Sequence, residues 1–508
     1  MKLVYVLLLM YLFLVTCPSV ANEKLRKKSK PNIIVLYADD LGYGDLSCYG
    51  AIGVQTPNID KLAKEGVRFT DSHCSAATCT PSRYSLLTGS YAFRSNAEIL
   101  PGTAPLIIRP ERPTLPGMLK KNGYKTAIVG KWHLGLGNGV INWNEEIKPG
   151  PLEVGFDYSF ILPATADRVP CVFVENHRVV NLENDDPIFV DYDKKVGNLP
   201  TGLSNKEMLK MEADTQHSAT IINGISRIGF MDGGKKAWWV DETFAEIFTA
   251  KAANFIESNK NNPFFLYLAL NDIHVPRVPN EQFIGKSSMG PRGDAILQLD
   301  WCVEQVMKKL KEMGLEKNTL VILSSDNGPI LDDGYADLAE EKAGSHNPSG
   351  PFRGGKYSIY EAGTRMPTIV SWPGTVKSSV SDALWSQVDL YASMAALIGH
   401  QLDAKEAPDS RNVSDAILGR SNVGRQIMLE EAFTLGVRDG NWKYIAPFSG
   451  KIPGWMKNKN VETGLGEEQL YDLGNDINER SNLIKTNKDQ GDKLRKELSK
   501  ILRSEMTR

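Results

Sequence analysis

Residues 32–42 read NIIVLYADDLG, and this stretch decides the fold class. A continuous apolar run that ends abruptly in two aspartates is typical of a strand buried on both faces of a parallel sheet. FFLYLAL at 264–270 and the run at 320–324 have the same character. Helical patterns at 57–65 and 293–313 lie between these strands. The alternation predicts an α/β fold with a large, mostly parallel mixed sheet sandwiched by helices.

The remaining segments extend this pattern along the chain. We predict the following further elements: a helix after residue 79, a helix at 115–122, strands at 125–129 and 366–372, and a helix at 383–398. Residues 139–239 show little periodicity, and we interpret them as long excursions over the mouth of the site.

The character of the chain changes after residue 420. RDGNWKYI at 438–445 predicts an antiparallel strand after a tight turn, residues 470–473 predict another strand, and residues 489–503 predict an amphipathic helix. The expected organisation is therefore a catalytic domain at 30–420 and a smaller C-terminal α+β domain at 421–508.

Composition excludes two classes of partner. The formal net charge of the 508-residue chain is −2, which argues against a nucleic-acid partner. No apolar run after the first two dozen residues is long enough for a membrane span.

The first 21 residues predict an exported protein, either periplasmic or secreted. Residues 1–21 have a charged start, an apolar stretch and the small-residue cleavage site Ser19-Val20-Ala21, as secretory signal peptides do. The alternative is a lipoprotein signal anchored at Cys17, for which Leu14-Val15-Thr16-Cys17 is a poor match. We expect the sparse remaining cysteines to be isolated thiols; they are Cys48, Cys74, Cys171 and Cys302.

Polar residues follow two of the predicted strands. Asp39 and Asp40 end the first, and Asp326 and Asn327 end a later one. Turn chemistry alone can explain either pair. Together, three carboxylates and an amide oxygen form a hard oxygen set that suits Ca²⁺ or Mg²⁺ and not Zn²⁺. Adjacent residues converge only if the chain turns, and the nearby glycines permit such turns; they are Gly42 and Gly328.

A second constellation is Cys79-Thr80-Pro81-Ser82-Arg83 at the start of a predicted helix. Thr80 suits the N-cap and Pro81 the first turn. Cys79 then lies where helix N–H groups favour an anion, and Arg83 follows one turn later. These residues predict an anion site that contains a thiol.

GKWHLG at 130–135 follows the strand at 125–129. If the extended conformation continues, Lys131 and His133 face the same way, so that a cation and an imidazole enter one site.

C-x-P-S-R followed by Leu-Leu-Thr-Gly, and GKWHLG in its relative position, resemble the signatures of type I sulfatases in the alkaline phosphatase superfamily. His274 in NDIHVP and Lys356 in FRGGK match the remaining histidine and lysine of that family in order and context. The resemblance extends from residue 32 to about residue 483.

The resemblance implies the cofactors. Cys79 would be oxidised to formylglycine by a formylglycine-generating maturation enzyme, and a divalent cation, Ca²⁺ or else Mg²⁺, would bind beside it. The implied metal ligands are Asp39, Asp40, residue 79, Asp326 and Asn327.

The resemblance also implies a mechanism. The hydrated aldehyde attacks sulfur, the alcohol leaves, and the covalent sulfo-enzyme collapses to the aldehyde and expels sulfate. Lys131, Lys356 and Arg83 would spread the charge on the sulfuryl oxygens. His274 would protonate the leaving oxygen and His133 would serve as the base, although these two roles could be exchanged.

The expected substrate is a sulfated carbohydrate, with a galactose-type unit as the narrower hypothesis. ATADRVPCVFVENHRVV at 164–180 resembles loops of bacterial enzymes that act on sulfated polysaccharides. The candidate substrate-binding residues are Thr165, Asp167, Arg168, His217, His346 and Arg353.

Two alternatives remain at this stage. The first is a phosphoesterase of the same superfamily, although those enzymes generally need more histidine and aspartate ligands for paired zinc ions than this chain offers. The second is a catalytically inactive, glycan-binding protein that keeps the fold.

Overall fold

The computed structural model describes residues 30–508. The predicted signal peptide at 1–21 and Cys17 lie outside the described residues. Within the described part of the chain, every helix is too short or too polar to cross a bilayer.

The described elements alternate between strands and helices over most of the chain. The helices are α1 Pro57–Glu65, α2 Cys79–Thr88, α3 Leu115–Lys121, α4 Phe244–Ser258, α5 Gly290–Glu312, α6 Ala339–Lys342, α7 Glu361–Thr364, α8 Leu390–Ile398, α9 Ser414–Ile417 and α10 Lys488–Arg503. The strands are β1 Asn32–Ala38, β2 Val67–Phe69, β3 Ser72–His73, β4 Lys125–Lys131, β5 Tyr158–Leu162, β6 Val174–Glu175, β7 Arg178–Val179, β8 Phe189–Asp191, β9 Ile221–Ile222, β10 Ile225–Ser226, β11 Phe230–Asp232, β12 Phe264–Ala269, β13 Thr319–Ser325, β14 Thr368–Ser371, β15 Ser379–Ser381, β16 Trp385–Ser386, β17 Ile427–Ala432, β18 Thr434–Asp439, β19 Trp442–Ile445 and β20 Gln469–Asp472.

A ten-stranded mixed sheet forms the centre of the fold, in the order β15-β2-β14-β13-β1-β12-β4-β5-β6-β7. The five central strands, β13 to β5, run parallel, and antiparallel pairings flank them. Every residue of β1 is buried, as its apolar sequence predicts. Because β1 and β13 are parallel and pair Ala38 with Ser325, the polar residues that follow them meet at one edge.

A four-stranded antiparallel sheet in the order β17-β18-β19-β20 forms the smaller C-terminal part. Helix α10 packs on β18 and β19. Leu494 and Leu498 of this helix enter a core with Val437 and Tyr444 of the sheet. The predicted fold class is therefore confirmed, whereas the boundary between residues 420 and 421 stays a prediction.

Local predictions were wrong in two places. The helix expected at 383–398 begins only at Leu390, because Trp385 and Ser386 pair with β3 and Ser386 forms a capping box with Asp389. The region 139–239 contains three strands of the main sheet that we did not predict, β5, β6 and β7, together with the small antiparallel pairs β9–β10 and β8–β11. The four cysteines expected to be isolated thiols, Cys48, Cys74, Cys171 and Cys302, are free.

Candidate active site

The ends of β1 and β13 bring four polar side chains into one buried cluster, Asp39, Asp40, Asp326 and Asn327, each with 0% exposed surface. The Asn327 Nδ2–H donates to Asp40 Oδ1 at 2.7 Å, and the backbone N–H of Asp40 donates to Asp326 Oδ1 at 3.3 Å. Asp39, Asp40 and His274 each have one atom that could bind a metal ion, and these three atoms lie within 4.8 Å of one another. The sequence therefore predicted this convergence.

The turn that makes neighbouring aspartates converge is at Asp40 itself, with φ +59°. The left-handed conformation costs a non-glycine residue energy and is frequent at functional sites. Gly42 and Gly328, which we expected to permit such turns, do not adopt a left-handed φ. They allow close packing instead, because a Cβ would lie 2.2 Å from the Pro348 carbonyl oxygen at Gly42 and 1.9 Å from the Ala362 carbonyl oxygen at Gly328.

The cluster fits a divalent cation. Asp39 Oδ1 and Asn327 Oδ1 are buried and have no hydrogen-bond partner within residues 30–508. A buried polar oxygen without a partner is costly, and a hard cation with several oxygen ligands would satisfy both atoms.

Three cations surround the acidic cluster. Lys131 Nζ donates to Asp39 Oδ2 at 2.5 Å, Lys356 Nζ to Asp40 Oδ2 at 2.9 Å, and Arg83 Nε to Asp326 Oδ2 at 2.9 Å. Burial and the neighbouring Asp326 hold the pKa of Asp39 well above its usual range. Burial alone would raise the pKa of Asp40, but Lys356, His274 and Lys131 together outweigh it and lower that pKa.

Arg83 lies behind the acidic cluster and does not line the cavity. Its side chain is fully buried, with NH1 donating to the Lys131 carbonyl at 3.2 Å. The prediction that Arg83 faces the bound anion together with residue 79 therefore does not match its position. Its contacts fix Asp326 and the end of β4.

Cys79 is the first residue of α2 and lines the cavity. Thr78 occupies the N-cap position, so the prediction that Thr80 caps the helix was wrong. The Thr80 hydroxyl instead donates to the His133 carbonyl at 2.9 Å, which ties the helix start to the loop after β4. Burial raises the pKa of the Cys79 thiol.

The hydrogen bonds of His133 show which of its ring nitrogens faces residue 79. Its Nε2 lies 2.8 Å from the Leu100 carbonyl oxygen and must carry the proton, because a carbonyl oxygen can only accept. Nδ1 is then free to accept, and it lies 3.2 Å from Cys79 Sγ. The chain leaves the extended conformation at His133, where φ is +53°, so strand alternation does not explain its direction as we expected. Burial and Lys131 hold its pKa well below the usual range.

His274 and Lys356 line the same cavity as Cys79. His274 Nδ1 donates to the Val275 carbonyl at 2.6 Å, and its Nε2 lies 3.8 Å from Asp40 Oδ2. Burial and the Lys356 cation lower the pKa of His274 to about 4. Lys356 is also held by Asp333 at 2.8 Å.

The cavity has a volume of about 730 Å³, which is in the upper part of the range for small-molecule sites. Asp167, Arg168 and His217 line its wall. His217 Nε2 lies 3.4 Å from Asp167 Oδ2, and Arg168 donates to Thr165 Oγ1 at 2.6 Å. Four of the six candidate substrate-binding residues therefore lie together.

The other two candidates lie elsewhere. His346 Nε2 bonds Asp45 Oδ1 at 2.9 Å, behind the acidic cluster, and Arg353 is engaged by Glu462 and the Glu479 carbonyl. Neither lines the cavity. Both were selected for residue type and neighbouring motif, which do not show where a loop side chain points.

Asp333 and Lys459 are among the residues of the cavity that sequence reasoning missed. Asp333 stands in the run ILDDGYADL, where aspartates look like turn residues. Lys459 stands in a lysine-rich segment that looks like a solvated surface. No local signal separates these two from their neighbours.

The sulfatase family profile matches residues 31–400. An N-acetylgalactosamine-6-O-sulfatase of Bacteroides thetaiotaomicron is 50% identical over 498 residues, which span 96% of each chain. This chain belongs to the sulfatase family. The resemblance inferred from the motifs is thereby confirmed, and the enzyme is a sulfuric ester hydrolase.

Further relatives support the same family assignment. Human arylsulfatase A is 31% identical over 89% of this chain and 83% of its own length. A solved structure from work on the metabolism of multiple glycosaminoglycans by Bacteroides thetaiotaomicron has a TM-score of 0.91 and 49% identity, covering 93% of this chain and 99% of that one. A sulfatase structure from Pseudoalteromonas has a TM-score of 0.68 and 25% identity, covering 94% of this chain and 92% of that one. Sulfatases of this family generally use formylglycine and a divalent cation.

Proposed function

We propose that this sulfatase removes the 6-O-sulfate from N-acetylgalactosamine-type residues of a sulfated saccharide, with formylglycine at position 79 and Ca²⁺ as its cofactors. The observation that carries the proposal is the placement of Cys79. It lies on the floor of the cavity, with Sγ 3.2 Å from an unprotonated His133 nitrogen, beside an acidic cluster with two unpartnered oxygens.

Asp39, Asp40, Asp326 and Asn327, with the oxygens at residue 79, would hold the cation. Three carboxylates and an amide offer only oxygen donors, which is the set that Ca²⁺ prefers; Mg²⁺ can use the same donors with a stricter geometry. When bound, the cation and the hydrated formylglycine would together supply a polarised sulfate and a nucleophilic oxygen.

The lysines bind and orient the sulfate. Lys356 lines the cavity, whereas Lys131 is fully buried beside Asp39, and the charges of both lysines act on Cys79. In a buried site these fixed charges stabilise the negative charge that accumulates on sulfuryl oxygens. Arg83 positions Asp326 and has no direct role in this arrangement.

The two histidines hold protons at different atoms. His133 presents Nδ1 to residue 79, and therefore acts as the base that accepts a proton there. His274 uses Nδ1 for the Val275 carbonyl, which leaves Nε2 as the atom that donates to the leaving oxygen when protonated. The negative charge of the bound sulfate ester favours that protonated form. The tautomers thus support one of the two role assignments that the sequence left open.

The substrate assignment rests on the wall of the cavity and on the relative. Asp167, Arg168 and His217 combine acceptors and donors at one wall, as recognition of sugar hydroxyls requires. The relative that is 50% identical is an N-acetylgalactosamine-6-O-sulfatase. N-acetylgalactosamine is a galactose-type sugar, which agrees with the expectation from the sequence.

We further propose that the enzyme is exported to the periplasm or secreted, because residues 1–21 have the pattern of a signal peptide. A formylglycine-generating enzyme of the host would be its maturation partner, with a sulfated saccharide as its substrate.

The first experiment combines mass spectrometry with a sulfate-release assay. The peptide around residue 79 should be lighter by about 18 Da than its unmodified form. The purified enzyme should release sulfate from N-acetylgalactosamine 6-sulfate, and much more slowly from the 4-sulfate isomer. Cys79→Ala should abolish turnover while the melting temperature is kept, whereas Cys48→Ala, which changes a half-buried thiol, serves as the matched control.

Substantial turnover by the Cys79→Ala variant would refute the role of residue 79. Release from the 4-sulfate isomer at an equal or higher rate would refute the assigned position of the sulfate.

A further inference from the structure

Asp333 joins two ammonium groups at the edge of the cavity. Its Oδ2 lies 2.8 Å from Lys356 Nζ and its Oδ1 lies 2.5 Å from Lys459 Nζ. The Tyr357 hydroxyl donates to Oδ2 at 3.2 Å. Asp333 is 4% exposed, so its carboxylate links the two lysines inside the protein and does not form a surface ion pair.

Lys459 has donors that its protein partner does not use. Its side chain is 4% exposed and lines the cavity, and within residues 30–508 Asp333 is the one carboxylate at ion-pair distance. An ammonium group has three N–H donors, and buried donors without acceptors are costly. The remaining donors of Lys459 therefore require oxygen acceptors inside the cavity.

Residues 333–335 connect the Asp333 carboxylate to the wall of the cavity. The Gly334 carbonyl accepts the backbone N–H of Asp214 at 2.8 Å, and Asp214 Oδ1 bonds His217 Nδ1 at 2.7 Å. The Tyr335 ring lies 4.8 Å from the His217 ring, centroid to centroid. Gly334 has φ +106°, and a Cβ there would lie 2.5 Å from His217 Nδ1. The loop thus holds Lys356, Lys459 and His217 in fixed relation.

Lys459 lies on the saccharide side of this arrangement. Lys459 lines the cavity together with Asp167, Arg168 and His217, and its charge helps His217 to lower the pKa of Asp214 against the effect of burial. Lys356, by contrast, also contacts Asp40 of the acidic cluster. Asp333 therefore joins an ammonium that contacts the acidic cluster to a second ammonium that does not.

We propose that Lys459 is a further substrate-binding residue of this sulfatase, which donates to a sugar oxygen next to the sulfate ester, and that Asp333 is the residue that positions it and Lys356. This inference rests on the proposed saccharide substrate. It assigns to the C-terminal part of the chain, where Lys459 follows the short 3-10 helix Gly454–Asn458, a direct contact with the substrate.

The test is steady-state kinetics on N-acetylgalactosamine 6-sulfate with matched lysine variants. Lys459→Met should raise KM about 10- to 100-fold and change kcat less than about threefold, because a charged hydrogen bond to a part of the substrate that does not react stabilises ground and transition states alike. Lys459→Arg should recover most of the affinity. Lys457→Met, which removes an exposed lysine of the same segment, should behave as wild type.

Asp333→Asn should lower kcat in addition, because Lys356 loses one of its two carboxylate partners. Titration of the saccharide into the inactive Cys79→Ala protein, with and without Lys459→Met, measures binding without turnover. The expected loss of affinity is again about 10- to 100-fold.

Three outcomes would overturn the inference. If Lys459→Met matches Lys457→Met, Lys459 does not touch the sugar. If Lys459→Met lowers kcat as Asp333→Asn does and arginine fails to rescue it, Lys459 acts only through Lys356. If the wild-type enzyme releases no sulfate from this sugar, the proposed function fails and the inference fails with it, which is distinguishable from the first two results.

Discussion

Glu431, which lines the same cavity as Cys79, offers a test of the electrostatics of the active site. It belongs to β17, and its backbone N–H donates to the Ser75 carbonyl at 3.1 Å while its carbonyl accepts the Ala77 N–H at 2.8 Å. Its carboxylate accepts the Ala92 N–H at 2.9 Å. Burial raises the pKa of Glu431 to about 8, with nearby Asp409 adding to this effect and Arg94 opposing it. Replacement by glutamine keeps the shape and the acceptor but removes the titration.

The sign and size of the effect follow from linkage. Between pH 4.5, where an unfolded glutamate titrates, and pH 8 the folded protein binds a proton that the unfolded chain has lost. Stability that is fully present below pH 4.5 is therefore lost as the pH rises to about 8. Each pH unit is worth about 1.4 kcal/mol, so Glu431 costs the folded state about 3 kcal/mol at pH 7 and up to about 5 kcal/mol above pH 8.

The assay is the free energy of unfolding in urea, measured from pH 4 to pH 9 for wild type and Glu431→Gln. The two proteins should be about equally stable near pH 4, and the variant should be more stable at pH 7 by about 3 kcal/mol. Glu430→Gln is the matched control from the adjacent position. Burial acts on Glu430 too, but Lys443 and His73 outweigh it and lower its pKa, so this carboxylate contributes stability above pH 4.5 that is lost as the pH falls.

The two variants should therefore have pH profiles of opposite sign. Curves for Glu431→Gln and wild type that run parallel from pH 4 to pH 9 would refute the reasoning. That result would mean that Glu431 is ionised in the folded protein, with water or an adjacent cation compensating its burial.

Three further changes test other parts of the structure. Lys443→Met leaves three fully buried carboxylates without their shared cation and should cost about 3–5 kcal/mol in urea unfolding; a loss below about 1 kcal/mol would contradict the buried cluster. Gly334→Ala should raise KM for the saccharide because its Cβ displaces His217, whereas Gly123→Ala, at φ +84° in open space, should leave KM unchanged; equal effects would point to backbone strain alone. Chelation of divalent cations should lower the melting temperature, since two buried oxygens lose their ligand, and Ca²⁺ should restore it; an unchanged melting curve would argue against a bound cation.

The sequence predicted those parts of the site that depend on the sheet. Asp39 and Asp326 follow parallel neighbouring strands, and the carboxyl ends of such strands necessarily meet at one edge. The GKWHLG motif identified Lys131 and His133 as site residues, but it did not predict the directions of their side chains. The chain turns at His133 because its Nε2 must reach the Leu100 carbonyl, a contact that involves a loop 33 residues away.

Residues placed by loops could not be predicted in this way. Asp333 and Lys459 are 126 positions apart, and their 2.5 Å contact depends on how the C-terminal part packs on the loop after β13. The incorrect prediction for Arg83 has a related cause. Helical spacing gave its position relative to Cys79 correctly, but an arginine reaches far, and the buried Asp326 attracts it more strongly than an open cavity does.

The contacts of the C-terminal part argue that it completes the active site and is not an independent appendage. β17 pairs with the loop that leads into Cys79, through Ala76 and Glu431, so the start of α2 is held partly by the C-terminal sheet. Lys459 enters the cavity from the same part of the chain. A change of stability in that sheet, such as the one that Glu431 imposes with pH, therefore acts on the segment that positions residue 79. The pH dependence of turnover should then contain a component that Glu431→Gln removes, although Cys79, His133, His274 and Lys356 are all unchanged.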